Sequence, residues 1–273
     1  MEIIKSPHAL KAALKTVRGS VGFVPTMGAL HIGHKTLIEA ARKANDIVVV
    51  SIFVNPTQFL PGEDLDKYPR RKEADEKICA LSGVDYLFYP GADDMYGMDE
   101  VSLIAPDVRG YILEGTSRPG HFSGVLTVVN KLFNIVRPDR AYFGRKDAQQ
   151  LMLIQTMVAN LFMDVEIVPC ATVRDSDGLA LSSRNAYLSP AERAEALKIS
   201  RALTRASHLV GRGVRECDRL YAEMLGVLEP LEVEHVAIVS RAFAPLKTVE
   251  VGNTIILVEA VVGTTRLLDN VWI

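Results

Sequence analysis

Two histidines three residues apart, His31 and His34, share the stretch PTMGALHIGH with two glycines, directly after a short apolar run. Imidazoles one helical turn apart, on a loop about to become a helix, can aim their ring nitrogens at a single anion. The positive end of the helix dipole and free backbone N–H groups favour a phosphate at the same place. Gly28 and Gly33 carry no Cβ, so an extended nucleotide can lie against the backbone there. The chemistry expected is stabilisation of charge on a phosphate, with N–H donors set where that charge builds in a transition state.

Taken alone, the stretch leaves three other readings open. GALHIGHKT comes near a Walker A phosphate loop, but Lys35 falls one place late because His34 stands between it and the second glycine. A histidine pair at this spacing can hold zinc, yet no cysteine lies close by and no third ligand completes a set. Both rings can also be ordinary packing or surface histidines.

The elements needed to position the pair are readable around it. VGFVP (Val21 to Pro25) reads as the strand that feeds the loop, and a helix is expected from about His34 to Ala44. IVVVSIFV, Ile47 to Val54, does not alternate, as expected of a strand buried on both faces of a parallel sheet. The charged segment Arg70 to Leu81 spaces Ala74, Ile78 and Leu81 as a helix would, and VDYLFYP reads as a third strand. Val125, Val128, Val129, Leu132, Phe133 and Val136 make a full helical stripe that Arg137-Pro138 must end. RAYFG is a fourth strand, Asp147 to Leu161 a helix with Leu151, Ile154, Val158 and Leu161 inward, and VEIVP a fifth strand.

This alternation predicts an α/β fold, a Rossmann-like doubly wound parallel sheet whose ligands sit at the carboxyl ends of the strands. After Cys170 the texture turns polar and turn-rich. Two helices follow, the first opened by Ser189, Pro190 and Glu192 as cap, first-turn proline and early acid. VEHVAIVS, TIILVEAVV and RLLDNVWI then read as strands. Residues 1–174 are therefore expected to form the ligand-binding domain and residues 175–273 a smaller C-terminal α+β domain.

Composition narrows the partners. The 273 residues are 48% hydrophobic with a formal net charge of -2, which argues against a nucleic-acid coat or a membrane-surface protein and for small-molecule partners. Cys79, Cys170 and Cys217 are odd in number and include no CxxC pair, so a reducing cytoplasm is expected rather than a disulfide framework. The opening residues lack an apolar leader region, and no apolar run reaches spanning length.

H-x-G-H after a first strand is the nucleotidyl-transferase signature. Here it is followed in order by FVNPTQF, YPR, RPGHFSGVLTVVNKLFNIVRPDRAYFGRKDAQQL and GLALSSRN. Together these blocks closely resemble the pantothenate synthetase family, densely from Pro25 to Leu188 and more loosely to the C-terminus. The resemblance implies ATP-dependent condensation of (R)-pantoate with β-alanine through a pantoyl adenylate, releasing pyrophosphate and then AMP. A carboxylate is already a nucleophile, so the first step asks only for in-line positioning and neutralised phosphate charge.

Carried over residue by residue, the resemblance assigns ATP to Met27, Gly28, Ala29, Leu30, His31, Ile32, Gly33 and His34, with His34 as proton donor. Gly144, Arg145, Lys146 and Asp147 match a second ATP loop, and Val173 with Leu181, Ser182, Ser183 and Arg184 a third, mobile one in the domain that acts as a lid. His31, His34, Lys146, Ser182, Ser183 and Arg184 supply the catalytic cations and donors. Gln58 and Gln150 match pantoate-binding glutamines, whose neutral amides can bond hydroxyls or carboxylate without added charge. Without the resemblance, Gln150 would read as a solvent-facing helix residue, and its neighbour Gln149 still does.

Asn55, before a strand-ending proline, is placed to contact the ligand. Mg²⁺ is expected on the triphosphate rather than in a site of the protein's own. A homodimer is expected as well. Arg118, Pro119, Gly120 and His121 match another block, in which His121 has no chemical step. Three features depart from the usual pattern: Lys35 where an apolar residue is common, Arg145 where glutamate is usual, and the basic RRKEAD after Tyr68-Pro69.

Three rival functions remain at this level. An adenylyl transferase acting on a phosphate acceptor would share the fold, but the glutamines of NPTQF and KDAQQL argue against it. A class I aminoacyl-tRNA synthetase shares the histidine motif, but the chain has little room for tRNA-binding domains and no basic surplus. A non-catalytic nucleotide-binding regulator is the third.

Overall fold

The apolar runs of the first half become one six-stranded parallel sheet, and the amphipathic runs between them become its covering helices. The computed structural model describes residues 1–273. They form two compact units, Met1–Arg145 with Leu153–Ala171, and Lys146–Met152 with Thr172–Ile273.

The first unit runs β1 (Glu2–Ile4), α1 (Pro7–Lys15), β2 (Val21–Thr26), α2 (Ile32–Ala44), β3 (Ile47–Ile52) and a 3₁₀ turn, Pro56–Gln58. It continues with α3 (Lys72–Leu81), β4 (Tyr86–Phe88), α4 (Ala92–Met95), α5 (Glu114–Ser117), α6 (His121–Val136) and β5 (Arg140–Gly144). Helix α7 (Ala148–Asn160) begins in the second unit and ends in the first, where β6 (Glu166–Cys170) closes the sheet. The strand order is β1-β4-β3-β2-β5-β6. The chain winds outward from β2 to β4, then returns past β2 to lay down β5 and β6. The order therefore reverses between β2 and β5, the switch point at which open α/β sheets take their ligands.

Val48, Val49 and Val50 are all wholly buried, which is why that run does not alternate. The α6 stripe from Val125 to Val136 is likewise core, and the helix ends on Arg137 in the left-handed region (φ 50), just before Pro138.

Four local features differ from expectation. The opening residues add an edge strand, β1, beside β4, and a helix α1 capped by Ser6; three residues are too few to display a period. Helix α2 starts at Ile32, two residues early, because His31 caps it. On α3 the buried residues are Asp75 and Cys79, whereas Ala74 is exposed and Leu81 is 76% exposed. Leu161 lies just past the end of α7 and is 48% exposed, although Leu151 and Ile154 are buried as the pattern requires.

In the second unit a hairpin across Val173–Leu181 leads to a 3₁₀ turn, Ser183–Tyr187, and then to α8 (Pro190–Gly211) and α9 (Cys217–Leu228). Ser189 and Glu192 cap α8 reciprocally, as their spacing predicts. The antiparallel strands β7 (Glu232–Ser240), β8 (Thr254–Val262) and β9 (Thr265–Trp272) follow in that order. Ile199, Leu203, Leu220, Met224, Ile256 and Val258 make its separate core.

Candidate active site

The loop from β2 into α2 is held from within. Gly28 (φ 88) and Ala29 (φ 50) are successive left-handed residues, which turns the N–H groups of Ala29 and Leu30 to one side. Both donate to the buried carboxylate of Asp75 on α3, Ala29 N to Oδ2 at 2.9 Å and Leu30 N to Oδ1 at 2.7 Å. A left-handed alanine costs about 1–2 kcal/mol, which this pair of charge-assisted bonds offsets. Gly28 is required twice over: by its φ, and because a Cβ would sit 2.9 Å from Ile52 Cγ2 and 3.1 Å from Asp75 Oδ2. Burial raises the Asp75 carboxyl above its ordinary value despite the opposing pull of the two amides and Arg71.

The two histidines cap α2 on each other. Gly33 N–H donates to His31 Nδ1 at 3.1 Å, and His31 N–H donates to His34 Nδ1 at 3.3 Å. The ring centroids lie 4.1 Å apart with the planes tilted by 42°. A nitrogen that accepts cannot carry the proton, so each imidazole has its hydrogen on Nε2. This overturns one expectation. The amides of Gly28, Ala29, Leu30, His31 and Gly33 bond to Thr26 Oγ1, Asp75, His34 and His31, so they do not form an open anion cradle. The donors the loop builds are imidazole Nε2–H groups.

Beyond β3, Asn55 and Gln58 are both buried, with 1% and 8% of their surface exposed. The Asn55 amide is fully engaged inside the protein. Its Nδ2 donates to Gln58 Oε1 at 3.0 Å and Gly124 O at 3.2 Å, and its Oδ1 accepts from Tyr96 Oη at 2.7 Å and Thr57 Oγ1 at 3.0 Å. Asn55 therefore positions Gln58 and has no hydrogen left for a ligand, contrary to the contact expected of it. Helix α6 approaches this turn closely at Gly124, where a Cβ would lie 2.8 Å from Gln58 N.

The RPGH block clamps the same turn from behind. Arg118 makes a two-pronged pair with Glu63, 2.7 Å on each arm, and a third bond to Glu114 at 3.0 Å. His121 Nδ1 lies 2.7 Å from Gln58 O, a carbonyl that can only accept, so Nδ1 carries the proton and Nε2 accepts from Arg118 Nη1 at 3.0 Å. Burial, with Arg118 beside it, pushes the His121 ring below its ordinary pKa and keeps it neutral in this role. Burial would raise Glu63, but its bonds to Arg118 and the guanidinium charge hold it below the usual carboxylate range. His121 thus acts on the backbone of Gln58.

The remaining predicted residues divide between the units. Gly144 and Arg145 end β5 in the first, where Arg145 N donates to Cys170 O at 2.8 Å. Lys146, Asp147, Gln150, Val173 and Leu181–Arg184 belong to the second. There Val173 O accepts from Leu181 N at 3.0 Å, which brings these two residues together across one hairpin. Ser182 Oγ caps the following 3₁₀ turn through Arg184 N at 3.3 Å. Lys146 pairs with Asp147 at 3.3 Å. Gln149, expected at the surface, is 3% exposed, and Gln150 is the more open of the two.

The profile of the pantoate–β-alanine ligase family matches residues 2–272. The chain belongs to that family. It is 62% identical to the pantothenate synthetase of Sulfurimonas denitrificans and 56% identical to that of Campylobacter fetus, in each case over all of both chains. A crystal structure of pantothenate synthetase from Thermus thermophilus matches with a TM-score of 0.95 and 43% identity over 99% of both chains. The pantoate–β-alanine ligase of Francisella tularensis, complexed with beta-gamma ATP and beta-alanine, matches with a TM-score of 0.82 and 35% identity over 100% of this chain and 97% of that one.

As a pantoate–β-alanine ligase, the chain joins an acid to an amine with ATP. Several groups that hold the ligase's predicted site residues within each unit carry no signal in the sequence. Asp75 sits in a charged helix where an acidic residue normally faces water. Asp269 and Asn270 on β9 look like ordinary strand residues, yet Asp269 pairs with both arms of Arg174, at 2.5 and 2.9 Å, and Asn270 Nδ2 donates to Lys146 O at 2.6 Å. Together they tie the Lys146 loop to the hairpin of Val173 and Leu181. Two inward polar residues in a small sheet are the only hint that could have revealed them.

Proposed function

We propose that the ligase works through a pantoyl adenylate, with ATP on Met27–His34, Gly144–Asp147, Val173 and Leu181–Arg184. The observation that carries this is the mutually capped histidine pair, whose Nε2–H donors stand at the helix N-terminus of the switch-point loop. A pantoate carboxylate oxygen attacks the α-phosphorus and pyrophosphate leaves. His34 and His31 donate to the phosphate oxygens as their charge grows, and Lys146, Arg184, Ser182 and Ser183 bear on the triphosphate. The β-alanine amine then attacks the acyl carbonyl and AMP leaves. Gln58 and Gln150 hold pantoate, with β-alanine beside Gln58.

Mg²⁺ would ride on the triphosphate and supply neutralisation of its charge. It would keep most of its waters there and ask little of the protein. The test is exchange of labelled pyrophosphate into ATP. Exchange with pantoate alone, in the absence of β-alanine, is the expected result. Exchange that needs a phosphorylated acceptor, or no exchange at all, overturns the proposal.

We place the ligase in the cytoplasm as a homodimer. Cys79, Cys170 and Cys217 are unpaired thiols, and no helix is long and apolar enough to cross a membrane. For the dimer, the support is the apolar segment of residues 101–105, which is fastened to α6. Leu103 N and Ala105 N donate to Thr127 Oγ1 and Ser123 Oγ, one turn apart on α6, at 2.9 and 3.0 Å. Beside them Val101 is 89% and Ile104 75% exposed. Exposed apolar side chains clustered in this way suit contact with a second copy. Ile104→Asp is expected to shift the sedimenting species from dimer to monomer at micromolar concentration, and a monomeric parent chain would rule the dimer out.

A further inference from the structure

We propose that Tyr96 is a positioning residue: its phenol tightens the hold on Asn55, whose amide sets which end of the Gln58 amide meets the acid substrate. This rests on the assignment of Gln58 to pantoate given above.

The orientation of the Asn55 amide follows from two backbone groups that cannot exchange roles. Thr57 N–H, 3.4 Å away, can only donate, so it faces Oδ1; Gly124 C=O, 3.2 Å away, can only accept, so it faces Nδ2. The phenol of Tyr96 makes the shortest bond in the set, 2.7 Å to Oδ1, and the Thr57 hydroxyl adds another at 3.0 Å. With its oxygen held in this way, Asn55 directs its second N–H at Gln58 Oε1, 3.0 Å away. Gln58 must then turn its own NH₂ the other way, where Met27 Sδ lies 3.1 Å from Nε2. Sulfur is a weak acceptor that a substrate oxygen readily displaces.

Met27 opens the loop that carries the histidines, so the Gln58 amide presents donors on that side. A carboxylate or hydroxyl oxygen is matched there, and a group that can only donate is not. The Tyr96 ring is itself held in place. Lys131 Nζ sits 4.5 Å over its face, Phe53 packs at 6.2 Å, and Lys131 bonds Met95 O and Glu100. Burial raises the phenol's pKa, so it remains a donor across the working range.

The test uses the full-length ligase in pyrophosphate exchange, with ATP and pantoate varied separately. Tyr96→Phe keeps the ring contacts and removes the hydroxyl's neutral bonds to Asn55 Oδ1 at 2.7 Å and Thr57 Oγ1 at 3.2 Å. Its pantoate KM is expected to rise about 3–10-fold, with the ATP KM and kcat within about 2-fold of the parent. An unchanged pantoate KM, or equal rises for both substrates, overturns the proposal. Asn55→Asp supplies a second readout. The new carboxylate oxygen faces Gln58 Oε1, forces that amide to flip and puts an acceptor in front of the substrate.

Selectivity for pantoate over its primary amide, measured by competition, is then expected to fall at least about 10-fold. Equal weakening of acid and amide counts against the relay. A parent chain without pantoate-dependent exchange would defeat the functional assignment instead, so the two failures are distinguishable.

Discussion

Replacing His34 with alanine is expected to slow adenylate formation by about 10²–10³-fold, the usual loss on removing one preorganised donor to a transition-state anion. The structure complicates that variant, because His34 Nδ1 also caps α2 through His31 N–H. Loss of the cap costs about 0.5–2 kcal/mol of stability and could loosen His31 as well. His34→Asn separates the two roles. Its side-chain oxygen can still accept from His31 N–H, but nothing replaces the Nε2–H. Asparagine should therefore restore the melting temperature while leaving the single-turnover rate as low as in the alanine variant. Recovery of rate with asparagine would reduce His34 to a cap.

The second large effect is thermodynamic. Arg118→Leu strips the guanidinium from between Glu63 and Glu114 and leaves two largely buried carboxylates unpaired, at an expected cost of about 3–5 kcal/mol. The loss should depend on pH in a definite direction. In the parent chain the Glu63 carboxyl is held below its unfolded value, so its contribution is present above the ordinary carboxylate range and fades as pH falls through the depressed value. Without Arg118 burial is opposed only by the Leu60 N–H and His121, so the carboxyl is expected to move upward and stability to be lost as pH increases. Denaturant midpoints of the two chains should converge only as pH falls below the ordinary carboxylate range and separate towards neutral pH. A constant gap would mean that the pair carries little of the stability.

The parts of this fold that show in the sequence are those with a long period or a strict local rule. The Val48–Val50 run, the α6 stripe and the Ser189–Glu192 cap each belong to one element and need no partner to be recognised. What escapes is the side chain whose purpose is a distant backbone group. Asp75 holds amides 45 and 46 residues away, and Asn270 holds a carbonyl 124 residues away. Neither has a spacing that announces it. The buried face of α3 escapes for the same reason: its most consequential inward residue is an acid, and polarity patterns send acids outward. For Asn55 and His121 the residue type stands out but its task does not, since a buried amide or imidazole can serve a ligand or a loop equally well and only the partner atoms decide.

The closed loop between β2 and α2 bears on inhibitor design. A glycine-rich phosphate loop greets any small oxyanion with a ring of amides, and so tolerates many triphosphate mimics. Here those amides already face Thr26, Asp75 and the two imidazoles, so a sulfonate or phosphonate tail gains almost nothing from the main chain. A compound aimed at this turn must be chosen for what it accepts from a histidine edge, and on that ground it can be kept away from P-loop enzymes.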